Sequence, residues 1–196
     1  MYITPQDYAA RVAKVFDDKN LLVNIQRTSD LIERTIKSRK VIYVCGNGGS
    51  AAIANHLVCD CQKGISTNTM LYPKIVSLSS NVPVITAIAN DIGYESVFSH
   101  QLNNFLEEGD LLLTISSSGN SPNIKKAIET ALANEVNSVA FCGFSGGSSY
   151  DATIPVHVKE NNYGIVEDCH QMIMHMIAQN IRHKNLLPDV ANPYPF

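Results

Sequence analysis

Apolar residues fall first at helical spacing and then in short runs. Behind Thr4-Pro5-Gln6-Asp7, Tyr8, Val12, Val15 and Phe16 form a stripe, which predicts a helix with Thr4 as N-cap and Pro5 at its first position. A second helix follows through Leu21, Leu22, Ile25, Leu31, Ile32 and Ile36. Its apolar face is broader than a small domain usually buries, so residues 1–39 read as a helical arm used in subunit packing. From position 41 the pattern becomes apolar runs separated by amphipathic ones. It predicts strands at 41–45, 75–78, 84–88, 111–115, 138–142 and 153–158, with helices from about 50, at 94–106, after 121 and from about 165. Alternating strands and helices predict an α/β fold: a parallel sheet covered on both faces, with ligands bound beyond the carboxyl ends of its strands. Pro155 places the last strand at an edge, and the proline-rich stretch 186–196 reads as an extended tail.

Composition narrows this picture. The 196 residues suit one domain over 1–196, and a net charge of −3 with 17% charged residues gives no footprint for nucleic acid. No apolar run approaches the roughly 20 residues of a membrane span, and no leader pattern opens the chain, so a cytoplasmic protein without a membrane partner is expected. Cys45, Cys59, Cys61, Cys142 and Cys169 lack paired spacing and read as reduced core thiols.

Two turns carry the candidate binding chemistry. Between the run 111–115 and the helix after 121 stand Ser116, Ser117, Ser118, Gly119, Asn120, Ser121 and Pro122. Pro122 suits the first helical position, with Ser121 as N-cap. Hydroxyls and free N–H groups then converge where the helix dipole favours an anion, as in a phosphate cradle. The other turn, Gly46-Asn47-Gly48-Gly49-Ser50, also joins a strand to a helix. It is neither a Walker loop nor a complete G-x-G-x-x-G, so a nucleotide cofactor is not indicated. Its glycines suit positive φ, and Asn47 and Ser50 are candidates to bind sugar hydroxyls.

Ionisable residues cluster on two helices. His56 and Asp60 lie four apart, hence on one helical face, where they could hold a metal or share a proton. The last helix carries Glu167, Asp168, His170, Gln171 and His175. Set among Met172, Ile173, Met174, Met176 and Ile177, His175 reads first as a core histidine. On an ideal helix Glu167 and His175 stand about 12 Å apart along the axis and about 80° around it, so they share one ion only if the helix start is distorted.

The two turns, Asn90-Asp91 after a strand, and His56 and His175, in this order, resemble the sugar isomerase (SIS) domain family, and within it the phosphoheptose isomerases. The resemblance covers nearly the whole chain. It implies a three-layer α/β/α sandwich, usually a homotetramer with sites completed by neighbouring subunits. It also implies interconversion of sedoheptulose 7-phosphate and D-glycero-D-manno-heptose 7-phosphate, for the heptose of bacterial surface polysaccharide. By that resemblance Ser116, Ser117, Ser118 and Ser121 hold the phosphate, and Asn47 and Ser50 bind the sugar chain. Gly48, Gly49, Asn90, Asp91 and Asn120 complete the substrate site, and His56, Asp60, Glu167 and His175 hold Zn²⁺.

Three positions depart from the family pattern. Asp60 stands for a glutamate, Glu167 for a glutamine, and Gly64, beside Lys63, for an arginine. In the implied chemistry Asp60 is the base, or Glu167 where Asp60 falls short, and His175 is the acid, through an enediol. Other SIS proteins share the fold without catalysis, binding the replication initiator or sensing phosphosugars. The convergent ionisable pairs favour the enzyme.

Overall fold

The computed structural model describes residues 3–188, and its centre is a five-stranded parallel sheet. The strands are β1 (Val41–Gly46), β2 (Lys74–Ser77), β3 (Leu111–Ser116), β4 (Asn137–Cys142) and β5 (Ile154–His157), in the spatial order β2-β1-β3-β4-β5. Among the described residues seven α-helices surround it: α1 (Pro5–Val15), α2 (Lys19–Lys37), α3 (Gly49–Cys59), α4 (Val82–Asp91), α5 (Ser99–Phe105), α6 (Pro122–Ala133) and α7 (Tyr163–Lys184).

Side chains alternate across each strand, so one sheet serves two cores. Ile42, Val44, Leu111, Leu113, Val139 and Phe141 face α2, α3 and α7, while Tyr43, Cys45, Leu112 and Ala140 face α4, α5 and α6. This is the expected three-layer α/β/α arrangement. The central strand β3 is buried along its whole length, and β5, with Pro155, lies at an edge as its proline requires.

The N-terminal helices follow their caps. Thr4 and Asp7 form a reciprocal capping box on α1, and Asp18 accepts from the amides of Asn20 and Leu21 at the start of α2. Leu21, Ile25, Ile32 and Ile36 of α2 are spent in this chain's own core. Leu22 and Val23 of the same helix remain exposed.

Residues 84–88 are helix α4 rather than a strand. Asn81 caps Val84 N, and Pro83 sits in the first turn, so the local start signal outweighs a run of β-branched residues. Of α4 only Ile88 is buried, too little for an inner strand. Asn90 and Asp91 consequently end a helix. The helix expected at 94–106 is a 3₁₀ turn (Tyr94–Ser96) followed by the shorter α5. The thiols of Cys45, Cys61, Cys142 and Cys169 are buried, but that of Cys59 is exposed. Leu186 bridges Thr69 at the start of the expected tail, and residues 189–196 lie outside the described part.

Candidate functional site

Both turns sit where parallel topology puts a ligand, at the carboxyl ends of the adjacent strands β1 and β3. Gly46 must be glycine because an added Cβ would meet the Ser50 backbone at 2.7 Å. Gly119 holds φ +69 with the carbonyl of Gly146 pressed against it, so the loop after β4 braces the serine turn. Ser148 adds to that brace by donating through N and Oγ to Gly119 O.

Asn47, Ser50, Ile115, Ser116, Ser117, Ser118, Ser121, Tyr163 and Glu167 line a cavity of about 170 Å³. None of these side chains is cationic. An anion there would rest on hydroxyls and on the N-terminal amides of α6. Ser121 occupies the N-cap position yet its side chain makes no capping bond; its Oγ lies 3.4 Å from Ser116 Oγ. Asn120 turns away from the cavity, donating to Ser118 O at 3.1 Å.

Asn47 is locked in place. Its Nδ2 donates to Asn123 Oδ1 at 2.9 Å, the Nδ2 of Asn123 donates back at 2.8 Å, and Tyr94 Oη donates to Asn47 Oδ1 at 2.9 Å. Asn90 and Asp91 are exposed, bonded to each other at 2.7 Å, and do not line the cavity. From their segment it is Tyr94 that reaches the site.

The second cluster lies farther along α3 and α7. His56 Nε2 stands 3.4 Å from Asp60 Oδ1, and His175 Nε2 stands 3.4 Å from Asp60 Oδ2. The two rings meet edge to face, with centroids 5.2 Å apart. Asp60 is 13% exposed, and its Oδ2 is buried without a hydrogen-bond partner. Immediately after α3 the chain makes a π-helical turn, Asp60–Ile65, so this carboxylate sits at the point where the helical repeat changes.

Two imidazoles and a carboxylate, with ligand atoms all within 4.8 Å of one another, fit a divalent cation by donor type and spacing. Asp60 Oδ2, buried without a hydrogen bond and with His175 Nε2 3.4 Å away, fits it too, since a cation between the two would meet both.

Glu167 stands outside that group. It projects into the serine cavity, where Ser117 Oγ donates to Glu167 Oε1 at 3.4 Å and an added Cβ on Gly49 would meet Glu167 Oε2 at 2.7 Å. The separation along α7 is kept because this helix has no distorted start. The histidine buried on α7 is His170, at 0% exposure, and not His175, whose side chain is 38% exposed. Burial holds the His170 pKa down at about 4, and its ring lies 5.7 Å from that of Phe141. Gly64 is buried in the π-helical turn, and Lys63 beside it is exposed.

Sequence reasoning missed Tyr94, Asn123, Tyr163 and the contact role of Gln171. Of these only Gln171 carried a signal, four residues before His175 on one face of a helix.

Residues 6–143 match the SIS domain. The chain belongs to the SIS domain family. Among similar SIS proteins, the phosphoheptose isomerase of Shewanella denitrificans is 34% identical over 162 residues, covering 81% of this chain and 82% of that one. The phosphoheptose isomerase of Clostridium acetobutylicum is 32% identical over 166 residues, covering 84% of each. The solved structure of phosphoheptose isomerase from Neisseria gonorrhoeae superposes with a TM-score of 0.83 at 25% identity, covering 91% of this chain and 94% of that one.

Proposed function

We propose that this SIS protein is an aldose–ketose isomerase that converts sedoheptulose 7-phosphate to D-glycero-D-manno-heptose 7-phosphate, for heptose of surface polysaccharide. The observation that carries the reading is the placement of two unlike sites along one helix pair. A hydroxyl-lined cavity lies at the start of α3, and the cluster of His56, Asp60 and His175 lies about 9 Å along that helix, from Ser50 to His56. Similarity to phosphoheptose isomerases over more than four-fifths of the chain supplies the substrate.

In this reading Ser116, Ser117, Ser118 and Ser121 hold the phosphate, with Asn120 bracing Ser118. Asn47 and Ser50 orient the sugar hydroxyls, on the backbone of Gly48 and Gly49. Asp60 takes the proton from C1 of the ketose while a proton is delivered to O2, giving a 1,2-enediol. Return of the proton to C2 and loss of the proton on O1 leave the aldehyde. His175, 3.4 Å from Asp60, shuttles the proton between the two oxygens. Asp60 serves as base better than Glu167, because Glu167 faces the serine cavity and not the histidines. Asn90 and Asp91 reach the substrate only if the end of α4 moves.

His56, Asp60 and His175 would hold the zinc ion of this reading. Bound there, a divalent cation would polarise the substrate oxygens. A homotetramer in the cytoplasm completes the proposal, supported by exposed Leu22, Val23, Met172 and Met176 and by free thiols that suit a reducing compartment. Incubation with sedoheptulose 7-phosphate should yield the aldoheptose 7-phosphate, resolved by chromatography. No product from that substrate would sink the assignment.

A further inference from the structure

The two histidines of the cluster share a fourth neighbour. The amide Nε2 of Gln171 lies 2.9 Å from His56 Nδ1 and 3.2 Å from His175 Nε2. His56 turns its other ring nitrogen, Nε2, toward Asp60 Oδ1 at 3.4 Å. A neutral imidazole carries its proton on only one nitrogen, so Gln171 and Asp60 between them decide which. With the Gln171 NH₂ group facing it, Nδ1 accepts, and the proton sits on Nε2 beside Asp60. Turned end for end, the amide presents Oε1 in nearly the same place, against His175 Nε2 as well, an arrangement that holds only with a cation on that nitrogen's lone pair. Nδ1–H then donates to Oε1, and the Nε2 lone pair points into the space shared with Asp60 and His175.

We propose that Gln171 is the positioning residue of the cation site: its amide oxygen receives Nδ1–H of His56 and so selects the tautomer whose Nε2 is a ligand. Spacing supports this division of roles. Both His–Asp60 separations are 3.4 Å, while ligands about 2.0–2.1 Å from a tetrahedral ion stand about 3.4 Å from each other. The Gln171–His56 separation of 2.9 Å is instead a hydrogen-bond length. A ligating histidine characteristically donates its second N–H to an outer acceptor, and Gln171 is the side chain placed to be one. Glu167, in the serine cavity, is not.

The inference rests on reading the cluster as a cation site, and it is tested without turnover. Wild-type protein, Gln171→Met and Gln171→Glu are titrated with Co²⁺ against a competing chelator, following the visible spectrum. The Zn²⁺-loaded proteins, labelled with ¹⁵N-histidine, report the His56 tautomer by NMR. Gln171→Met should weaken Co²⁺ about 10- to 100-fold and lose the Nδ1–H form of His56. Gln171→Glu, which keeps an acceptor, should restore both, and circular dichroism should show both variants folded. Wild-type affinity and an unchanged His56 tautomer in Gln171→Met overturn the role of Gln171 alone. Wild-type protein that takes up no Co²⁺ overturns the cation reading and this role with it, while leaving the isomerase reading to its own assay.

Discussion

Asn47 and Asn123 exchange two hydrogen bonds, of 2.9 and 2.8 Å, across the space between the glycine turn and the first turn of α6. Asn123 is 1% exposed, so its amide cannot trade this partner for water. The pair ties the turn that orients the sugar to the helix whose N-terminus faces the phosphate. Asn123→Leu leaves the amide of Asn47 half satisfied and should lower stability by about 1–3 kcal/mol, read by urea unfolding. It should also raise KM about tenfold. Tyr94→Phe removes only the third bond and should do less on both counts.

The serine turn predicts a different kinetic signature. Ser121 Oγ makes no capping bond, so Ser121→Ala should leave the unfolding midpoint nearly unchanged. Its loss should appear as a KM raised roughly tenfold, the size of a hydrogen bond to a charged group, with kcat within about twofold. Inorganic phosphate should inhibit the wild type by competition and the variant more weakly.

At the other cluster the split should reverse. Asp60→Asn and His175→Gln each keep the shape of the side chain while removing the base or the acid. They should lower kcat by about 10²- to 10⁴-fold with KM within a few-fold. Steady-state kinetics on both variants separates this from a binding defect.

His170 makes a prediction about stability and pH. Burial holds its folded-state pKa at about 4, below an unfolded value near 6.5. The unfolded chain therefore binds the extra proton in that window, and the fold loses stability as pH falls from about 6.5 to about 4. Above that range His170 contributes no pH dependence. His170→Leu should flatten this part of the stability curve, measured by urea midpoints at successive pH values.

Much of this layout was legible in the sequence, because buried strands and caps are local signals. The run Leu111–Ile115 is apolar on both faces, which only an inner parallel strand requires, and it proved to be the central strand. The run 84–88 misled because its β-branched content outweighed Asn81 and Pro83, which carry the helix start. Within the candidate site, both turns and the His56/Asp60 pair follow from spacing along single elements. The Asn47–Asn123 pair lies 76 residues apart in the chain, and no periodicity reports such a contact. The departure of Glu167 from the histidines was visible as helical geometry, whereas its new partner, Ser117, was not.

The central claim is that the cluster moves a proton between C1 and C2 of a phosphosugar held by the serine turn. Proton NMR of sedoheptulose 7-phosphate incubated with the protein in D₂O tests it most directly. The account predicts loss of a C1 proton signal and appearance of aldoheptose 7-phosphate deuterated at C2, both abolished by Asp60→Asn. A substrate spectrum unchanged after prolonged incubation with folded, Zn²⁺-supplied protein would contradict it.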